Sequence, residues 1–148
     1  MITYRRIVPA GDEYDQEKDL RNRVLRLPLG LELSETDTRG EDGQIHLAAV
    51  DEREGIIGCV LMATMGDGIA KVRQMAVDER HRRRGIGTEL MRLAEHTARA
   101  AGIRKLTMHA RLSARSFYER LGYQVVSDRF VEVTIPHIGM EKNLEPEE

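Results

Sequence analysis

The order of patterns between residues 69 and 110 constrains the fold more than any other feature. "IAKVRQMAV" (69–77) is typical of a strand and is followed by "HRRRGIGTEL", a basic turn that contains glycines. Apolar residues then recur at helical spacing from Ile86 until Gly102, a natural helix stop. "RKLTMHA" (104–110) is a second short strand. This order predicts a βαβ unit with parallel strands and a right-handed crossover.

The predicted strand over 69–77 contains a shift in its alternation. Ala70 and Val72 are apolar at a period of two, but the next apolar pair starts one residue late, at Met75. A slip of one residue would turn every following side chain to the other face of the sheet. An extra residue in the strand avoids this, so we predict a β-bulge near Arg73–Met75.

Further elements flank the βαβ unit. A helical stripe covers Tyr14–Leu27 and is predicted to end at Pro28, and Ser113 is predicted to N-cap a short helix that ends at Gly122. Five more runs are predicted strands. They are residues 2–8, 45–50, 55–64, 123–127 and 131–142. Together these elements predict an α/β or α+β fold, one sheet with helices on its faces.

Composition narrows the class of protein. The 148 residues suit one domain over 1–148, with 143–148 expected to be a frayed tail. A net charge of -2 argues against general attraction to nucleic acid. Cys59 stands alone in an apolar run, which predicts a buried strand residue and a reducing compartment. Without a membrane-length apolar run or a signal-peptide pattern, we expect a cytoplasmic protein with no membrane partner.

The turn "RRRGIGT" has the chemistry of a pyrophosphate site. Gly85 and Gly87 lack a Cβ, so their backbone can approach a ligand closely and adopt positive φ. The first amides of the following helix have no intrahelical partner, and the helix dipole favours an anion there. The sequence lacks the Gly-Lys-Ser/Thr of a Walker loop. The dinucleotide fingerprint G-x-G-x-x-G is incomplete, because Leu90 stands at its third glycine position. An exposed basic turn or a nucleic-acid patch stays open.

This turn, taken with "SFYERLGY" further along the chain, resembles the GNAT superfamily of N-acetyltransferases. "RRRGIG" (82–87) matches the family's Q/R-x-x-G-x-G/A signature, and "FYERLGY" (117–123) matches its "FYxxxGF" element. The similarity spans about residues 45–143, and "IPHIGMEK" (135–142) also resembles a subgroup of small bacterial GNAT proteins. It implies the GNAT fold, a mixed, mostly antiparallel sheet of about seven strands with a central parallel pair and helices on both faces.

The resemblance also implies an acetyl-CoA-dependent N-acetyltransferase that uses no metal and acts on a small-molecule or peptide amine. A homodimer is compatible with it, because GNAT relatives are often dimers. The strand before the turn would pair with the pantetheine arm, and the turn would hold the pyrophosphate. The residues implied to bind the cofactor are Met75, Ala76, Val77, Arg82, Arg83, Arg84, Gly85, Ile86, Gly87, Thr88 and His109.

The implied reaction is direct attack of an amine on a thioester. Tyr118, within "SFYERLGY", is implied as the partner of the leaving thiolate. A tyrosine pKa of about 10 lies above a thiol pKa of about 8.5, so Tyr118 would donate a hydrogen bond and not transfer its proton fully. Many GNAT enzymes carry a glutamate base on the strand before the signature, but here Arg73 stands near that position. The base stays open among His46, His109, His137, Glu132 and water.

Two other functions stay open on the sequence. The missing carboxylate leaves room for a CoA-binding sensor, or a relative of the family that does not catalyse. The basic run Arg82–Arg84 leaves room for a nucleic-acid-binding module. The second alternative is disfavoured, because aromatic residues make up only 4% of the chain and there is no tryptophan to stack on bases.

Overall fold

The computed structural model describes residues 1–146, and these contain seven strands and four α-helices. The strands are β1 Ile2–Ile7, β2 Ile45–Asp51, β3 Gly55–Gly66, β4 Ile69–Val77, β5 Lys105–Arg111, β6 Gln124–Glu132 and β7 Ile135–Asn143. The helices are α1 Gly11–Arg21, α2 Glu35–Thr38, α3 Ile86–Ala100 and α4 Arg115–Arg120.

The strands form one sheet in the order β1-β2-β3-β4-β5-β7-β6, with β4 and β5 parallel. The mixed sheet confirms the predicted fold class, and the parallel pair flanking α3 confirms the βαβ unit. Within residues 1–146, no helix combines the length and the apolar character needed to cross a bilayer.

The chain divides into two compact units. The first comprises Met1–Ala63 with Gln74–Ala94. The second comprises Thr64–Arg73 with the described residues from Glu95 onward. The two units share β4, whose last residues, Gln74–Val77, belong to the first unit.

In the first unit, β1 pairs antiparallel with β2, and β2 with β3. The β2–β3 hairpin turn lies at "DEREG" (51–55), and the Asp51 carboxylate accepts the backbone N–H groups of Arg53 and Glu54 there. Cys59 is a fully buried residue of β3, as predicted. It belongs to an apolar core that comprises Ile7, Leu20, Leu25, Ala48, Ile56, Cys59 and Ala76.

The chain after α1 departs from the regular helix predicted over Tyr14–Leu27. It continues as a π-helical turn over Asn22–Arg26 and then as a 3₁₀ turn over Leu27–Leu29. Pro28 lies in the first positions of that 3₁₀ turn, where an absent N–H leaves no hydrogen bond unmade. The change in helical type therefore precedes the proline, and the prediction that Pro28 ends the helix is wrong.

Four ionisable side chains of the first unit are completely buried together, and we call them the buried ion cluster: Glu17 and Arg21 of α1, Glu41, and His46 of β2. Arg21 Nη1 lies 3.1 Å from a Glu17 oxygen and 2.8 Å from Glu41 Oε1, and Nη2 lies 2.6 Å from Glu41 Oε2. The Tyr14 hydroxyl donates to Glu41 at 2.9 Å. Every cluster member therefore has a charged partner, as burial requires.

His46 is the second cation of the buried ion cluster. Its Nε2 lies 2.7 Å from the Glu41 carbonyl, which can only accept, so Nε2 carries a hydrogen. Its Nδ1 lies 2.8 Å from the Glu17 carboxylate. Burial lowers the pKa of His46, but the bonds to Glu17 and to the Glu41 carbonyl, with both carboxylate charges, outweigh burial and raise that pKa. A protonated His46 balances two carboxylates against two cations.

In the second unit, β5 pairs antiparallel with β7, and β7 with β6. The helix before β6, α4, begins at Arg115 with Ala114 as its N-cap residue and no side-chain cap, so the prediction that Ser113 caps it is wrong. A 3₁₀ turn over Leu112–Ala114 carries the chain into α4 and takes Ser113 out of the cap position.

The end of the chain was predicted to fray from 143 onward. Leu144 is buried, however, and its N–H donates to the Arg104 carbonyl at 2.8 Å. Arg99 Nε donates to the Glu145 carbonyl at 2.8 Å. The last part of that predicted tail, 147–148, lies outside the described residues.

The protonated state of His46 makes stability depend on pH. Because its folded pKa is raised, its stabilisation is complete below the unfolded pKa of about 6.5 and is lost as pH rises through the folded value. We predict that the free energy of unfolding falls as pH rises above about 6.5 in the wild type. Glu17→Gln keeps the shape and removes the charge that raises this pKa, so denaturant titrations should show a flatter dependence. An unchanged slope in Glu17→Gln would contradict a charged His46.

Candidate active site

The end of β4 carries the first predicted cofactor-binding residues. Gln74 has φ +55°, a left-handed backbone conformation within β4, and it lies in the stretch Arg73–Met75 where the alternation shift predicts a β-bulge. The parallel pairing with β5 runs from Ile69 to Val72, before this irregularity. Of the three residues that follow Gln74, Ala76 is buried, while Met75 and Val77 are half-buried. These three residues belong to the first unit.

The chain leaves β4 through a tightly bonded turn. The Asp78 N–H donates to the Ile57 carbonyl at 2.8 Å, which ties the exit of β4 to β3. The Asp78 carboxylate accepts the Arg80 N–H at 3.0 Å and so caps a 3₁₀ turn over Glu79–His81. The basic loop that follows therefore starts from a fixed point.

The basic loop, Arg82–Gly85, turns sharply into α3. Arg83 has φ +64° and Gly85 has φ +77°, so the prediction of positive φ holds for Gly85. It does not hold for Gly87, which lies inside the first turn of α3. Left-handed residues before a helix turn successive N–H groups toward one side and form a concavity that suits an anion.

The backbone bonds locate the helix start. Glu89 donates to the Gly85 carbonyl at 3.0 Å, so the N–H groups of Ile86, Gly87 and Thr88 precede the helical ladder. Packing holds this start in place, because a Cβ on Gly58 of β3 would lie 3.0 Å from Ile86 Cγ2. Glycine at 58 thus permits the close approach of α3 to β3.

The loop arginines differ in how they are held. Arg84 Nη1 lies 2.6 Å from His81 Nδ1, and His81 Nε2 lies 2.7 Å from a Glu54 oxygen. Because a guanidinium only donates, His81 accepts at Nδ1 and donates from Nε2. All three arginines, Arg82, Arg83 and Arg84, are exposed. The loop therefore presents three solvent-accessible cations, of which Arg84 is held in one orientation by His81.

Tyr118 lies on α4, in the second unit, and is 6% exposed. Its ring packs edge-on against Phe117 and Tyr123, with centroids 5.0 Å and 5.8 Å apart. Desolvation by burial raises the pKa of Tyr118 well above its usual value of about 10. The phenol therefore stays protonated at neutral pH and can serve only as a neutral donor or acceptor.

Three of the base candidates meet in the second unit. His109 Nδ1 lies 2.8 Å from Glu132 Oε1, and His137 Nε2 lies 3.8 Å from Glu132 Oε2. Phe130 packs edge-on against His109 and stacks on His137. A carboxylate at Nδ1 fixes the His109 tautomer and leaves Nε2 as a base, the arrangement known from catalytic triads. His109 is half-exposed, so this pair can take a proton from a ligand or from water.

His46, the fourth candidate, does not join this group. It belongs to the first unit, is fully buried, and engages both ring nitrogens within the buried ion cluster. A base must reach the proton that it accepts, and His46 has no nitrogen with which to do so.

A groove of about 470 Å³ lies on the first unit along α1. Its lining is mostly acidic, so it carries the wrong charge for a pyrophosphate and we do not assign the donor to it. The lining residues are Asp12, Asp15, Gln16, Asp19, Arg23, Glu54 and Ile56.

The sequence analysis missed the residues that hold the β4 irregularity. Arg21 Nε donates to Gln74 Oε1 at 3.1 Å, across 53 positions of the chain. The available signal was the spacing of Glu17 and Arg21, four residues apart on a helix. That spacing is equally typical of a solvent-exposed ion pair, so it does not by itself reveal a buried one.

The fold matches those of several solved proteins, acetyltransferases among them. Escherichia coli ElaA has a TM-score of 0.81 at 19% identity, covering 96% of this chain and 99% of ElaA. An acetyltransferase of the GNAT family from Staphylococcus aureus Mu50 has a TM-score of 0.80 at 15% identity, covering 98% and 100%. An aminoglycoside 6'-N-acetyltransferase complexed with coenzyme A has a TM-score of 0.74 at 18% identity, covering 100% and 99%. At these identities the likeness shows the fold alone.

Sequence similarity establishes the family. The uncharacterized protein YyaT of Bacillus subtilis (strain 168) is 29% identical over 113 residues, which cover 76% of this chain and 74% of YyaT. The uncharacterized N-acetyltransferase YjcF of the same organism is 34% identical over 80 residues, 53% of this chain and 57% of YjcF. The acetyltransferase (GNAT) domain matches residues 31–144. The chain therefore belongs to the GNAT family of acetyltransferases, which confirms the enzyme class expected from its sequence.

Proposed function

We propose that this protein transfers an acetyl group from acetyl-CoA to a primary amine. The observation that carries the proposal is the basic loop, with left-handed backbone at Arg83 and Gly85 directly before the first amides of α3. Backbone N–H groups at a helix start favour a pyrophosphate, and three adjacent arginines supply local positive charge. The coenzyme A complex of a protein with the same fold supports CoA as the ligand.

In the proposed site, each segment has its own role. The backbone of Met75–Val77 pairs with the pantetheine arm, and the loop and first α3 turn, Arg82–Thr88, hold the pyrophosphate. His109 borders the cofactor. The positive charge is needed at one place, which is consistent with a chain whose net charge is -2.

The proposed chemistry is direct transfer. The amine nitrogen attacks the thioester carbonyl carbon, the C–S bond breaks, and the CoA thiolate leaves. An alkyl amine with a pKa of about 10.4 is neutral roughly once in 2,500 molecules at pH 7, so its proton must be removed. Two acceptors are available for that proton, namely water and the His109–Glu132 pair. Tyr118 donates a hydrogen bond to the thiolate.

The experiment that tests this function measures thermal stabilisation by acetyl-CoA and by a single-stranded oligonucleotide. At one hundred times its dissociation constant, a ligand adds about 2.7 kcal/mol to the free energy of unfolding. We expect stabilisation by acetyl-CoA only. Replacing Arg82 and Arg83 by glutamine should weaken that binding about tenfold, while the matched change Arg92→Gln, on the exposed side of α3, should not.

Each result separates one of the three functions. No stabilisation by millimolar acetyl-CoA contradicts CoA binding in any form. Stabilisation by the oligonucleotide, lost in the Arg82 and Arg83 variants, indicates a nucleic-acid-binding module. Acetyl-CoA binding without thiol release across a panel of small and peptide amines indicates a sensor.

The raised pKa of Tyr118 limits what the residue contributes. Full proton transfer to a thiolate would run far uphill, so Tyr118 stabilises the leaving group by hydrogen bonding only. We predict that Tyr118→Phe lowers kcat by about 10²-fold, the low end for such roles, in a thiol-release assay. The KM for acetyl-CoA should change little. A loss in kcat beyond about 10⁵-fold would contradict a role limited to hydrogen bonding.

A further inference from the structure

Gln74 occupies a backbone conformation that its residue type does not favour. At φ +55° its Cβ crowds the neighbouring peptide, a cost that glycine avoids. Conformations of this kind persist only where the surroundings hold them, and they concentrate at functional sites. The contacts that hold Gln74 are therefore relevant to the function proposed for the end of β4.

Two groups of the first unit hold Gln74. Arg21 Nε donates to the side-chain oxygen at 3.1 Å, and the Cys59 thiol donates to the backbone carbonyl at 3.4 Å. One contact fixes the side chain and the other fixes the peptide that leads to Met75.

Arg21 can hold Gln74 because its own guanidinium is fixed by hydrogen bonds and ion pairs. Its Nη atoms make the bonds to Glu17 and Glu41 of the buried ion cluster, including a two-point contact with Glu41. Its side chain is completely buried. Two-point guanidinium–carboxylate contacts fix orientation as well as distance. The bonds to the two carboxylates leave Nε to face Gln74.

We propose that Arg21 is a positioning residue of the donor site. It holds Gln74 in the left-handed conformation and so sets the direction of the Met75 N–H, the first backbone group of the proposed pantetheine segment. The inference rests on the proposed function, because Met75–Val77 contact the donor only there. Arg21 itself touches no reactant and acts through Gln74.

A pair of substitutions at Gln74 isolates the conformation from the contact. Gln74→Ala and Gln74→Gly both delete the oxygen that Arg21 binds, but alanine disfavours positive φ whereas glycine adopts it freely. We expect Gln74→Ala to lower kcat/KM for acetyl-CoA at least about tenfold, while Gln74→Gly stays within about threefold of the wild type. Tyr14→Phe, which removes a bond to Glu41 without touching Gln74, is the matched control and should leave kcat/KM unchanged.

Arg21 is tested directly by a double-mutant cycle. Arg21→Lys should lower kcat/KM in the wild type and lower it much less in the Gln74→Gly background, because glycine no longer needs the anchor. Melting curves establish that each variant is folded. Equal activity of Gln74→Ala and the wild type, or equal losses in Gln74→Ala and Gln74→Gly, would overturn the proposal.

A ligand-free readout separates this inference from the proposed function. The NMR coupling constant between the amide and α protons of residue 74 reports φ in the absence of acetyl-CoA. We expect a left-handed value in the wild type and an extended value in Gln74→Ala. If the coupling constants are as expected but acetyl-CoA does not bind, the proposed function is wrong, while the claim that Arg21 holds Gln74 is supported. If Gln74→Ala keeps a left-handed value, the claim that Arg21 holds this conformation is wrong, whatever the protein binds.

Discussion

The interaction on which the first unit depends is the pairing of Arg21 with two buried carboxylates. Charges taken out of water must be matched, and removing one partner of a buried pair typically costs about 3–5 kcal/mol. Arg21, Glu17, Glu41 and His46 pair with one another, with further bonds from Tyr14 to Glu41 and from Arg21 to Gln74. Within residues 1–146 no buried side-chain nitrogen or oxygen lacks a hydrogen-bond partner. The cluster thereby joins α1, the turn at Glu41 and β2 to Gln74 of β4.

The first unit contains two charge arrangements, the buried ion cluster and the basic loop, which differ in burial and in net charge. The buried ion cluster is fully buried and, with His46 protonated, neutral as a whole, which suits a rigid support. The basic loop is largely exposed and positive, and it has one oriented arginine, Arg84. Binding a long, flexible, anionic thioester requires a strand that is held in place and a cationic loop that is open to solvent. The cluster beneath β4 and the basic loop after β4 meet these two requirements.

Local patterns predicted most of the fold. The βαβ unit, an irregularity at Gln74 and the buried Cys59 each follow from periodicity within a few residues. The errors were also local: the Ser113 cap and the helix end at Pro28 depend on 3₁₀ and π-helical turns, whose hydrogen bonding leaves no periodic signature in the sequence.

The contacts within the candidate site were harder to predict from the sequence than the fold was, for a different reason. Residues of the loop and of α4 carry family motifs, but the contact between Arg21 and Gln74 joins residues far apart in the chain. The spacing of Glu17 and Arg21 and the alternation shift near Gln74 are each local patterns, and neither one indicates that the two segments are in contact. Likewise, His109, Glu132 and His137 were separate base candidates until the pairing of β5, β6 and β7 brought them together.

The central claim is that the end of β4 and the loop before α3 hold the donor. It is tested most directly by adding CoA to isotopically labelled protein and following the backbone amide resonances. We predict that the largest changes fall on Met75–Val77 and on Arg83–Thr88, with the acidic groove along α1 unaffected. Changes confined to that groove, or none at saturating CoA, would contradict the claim.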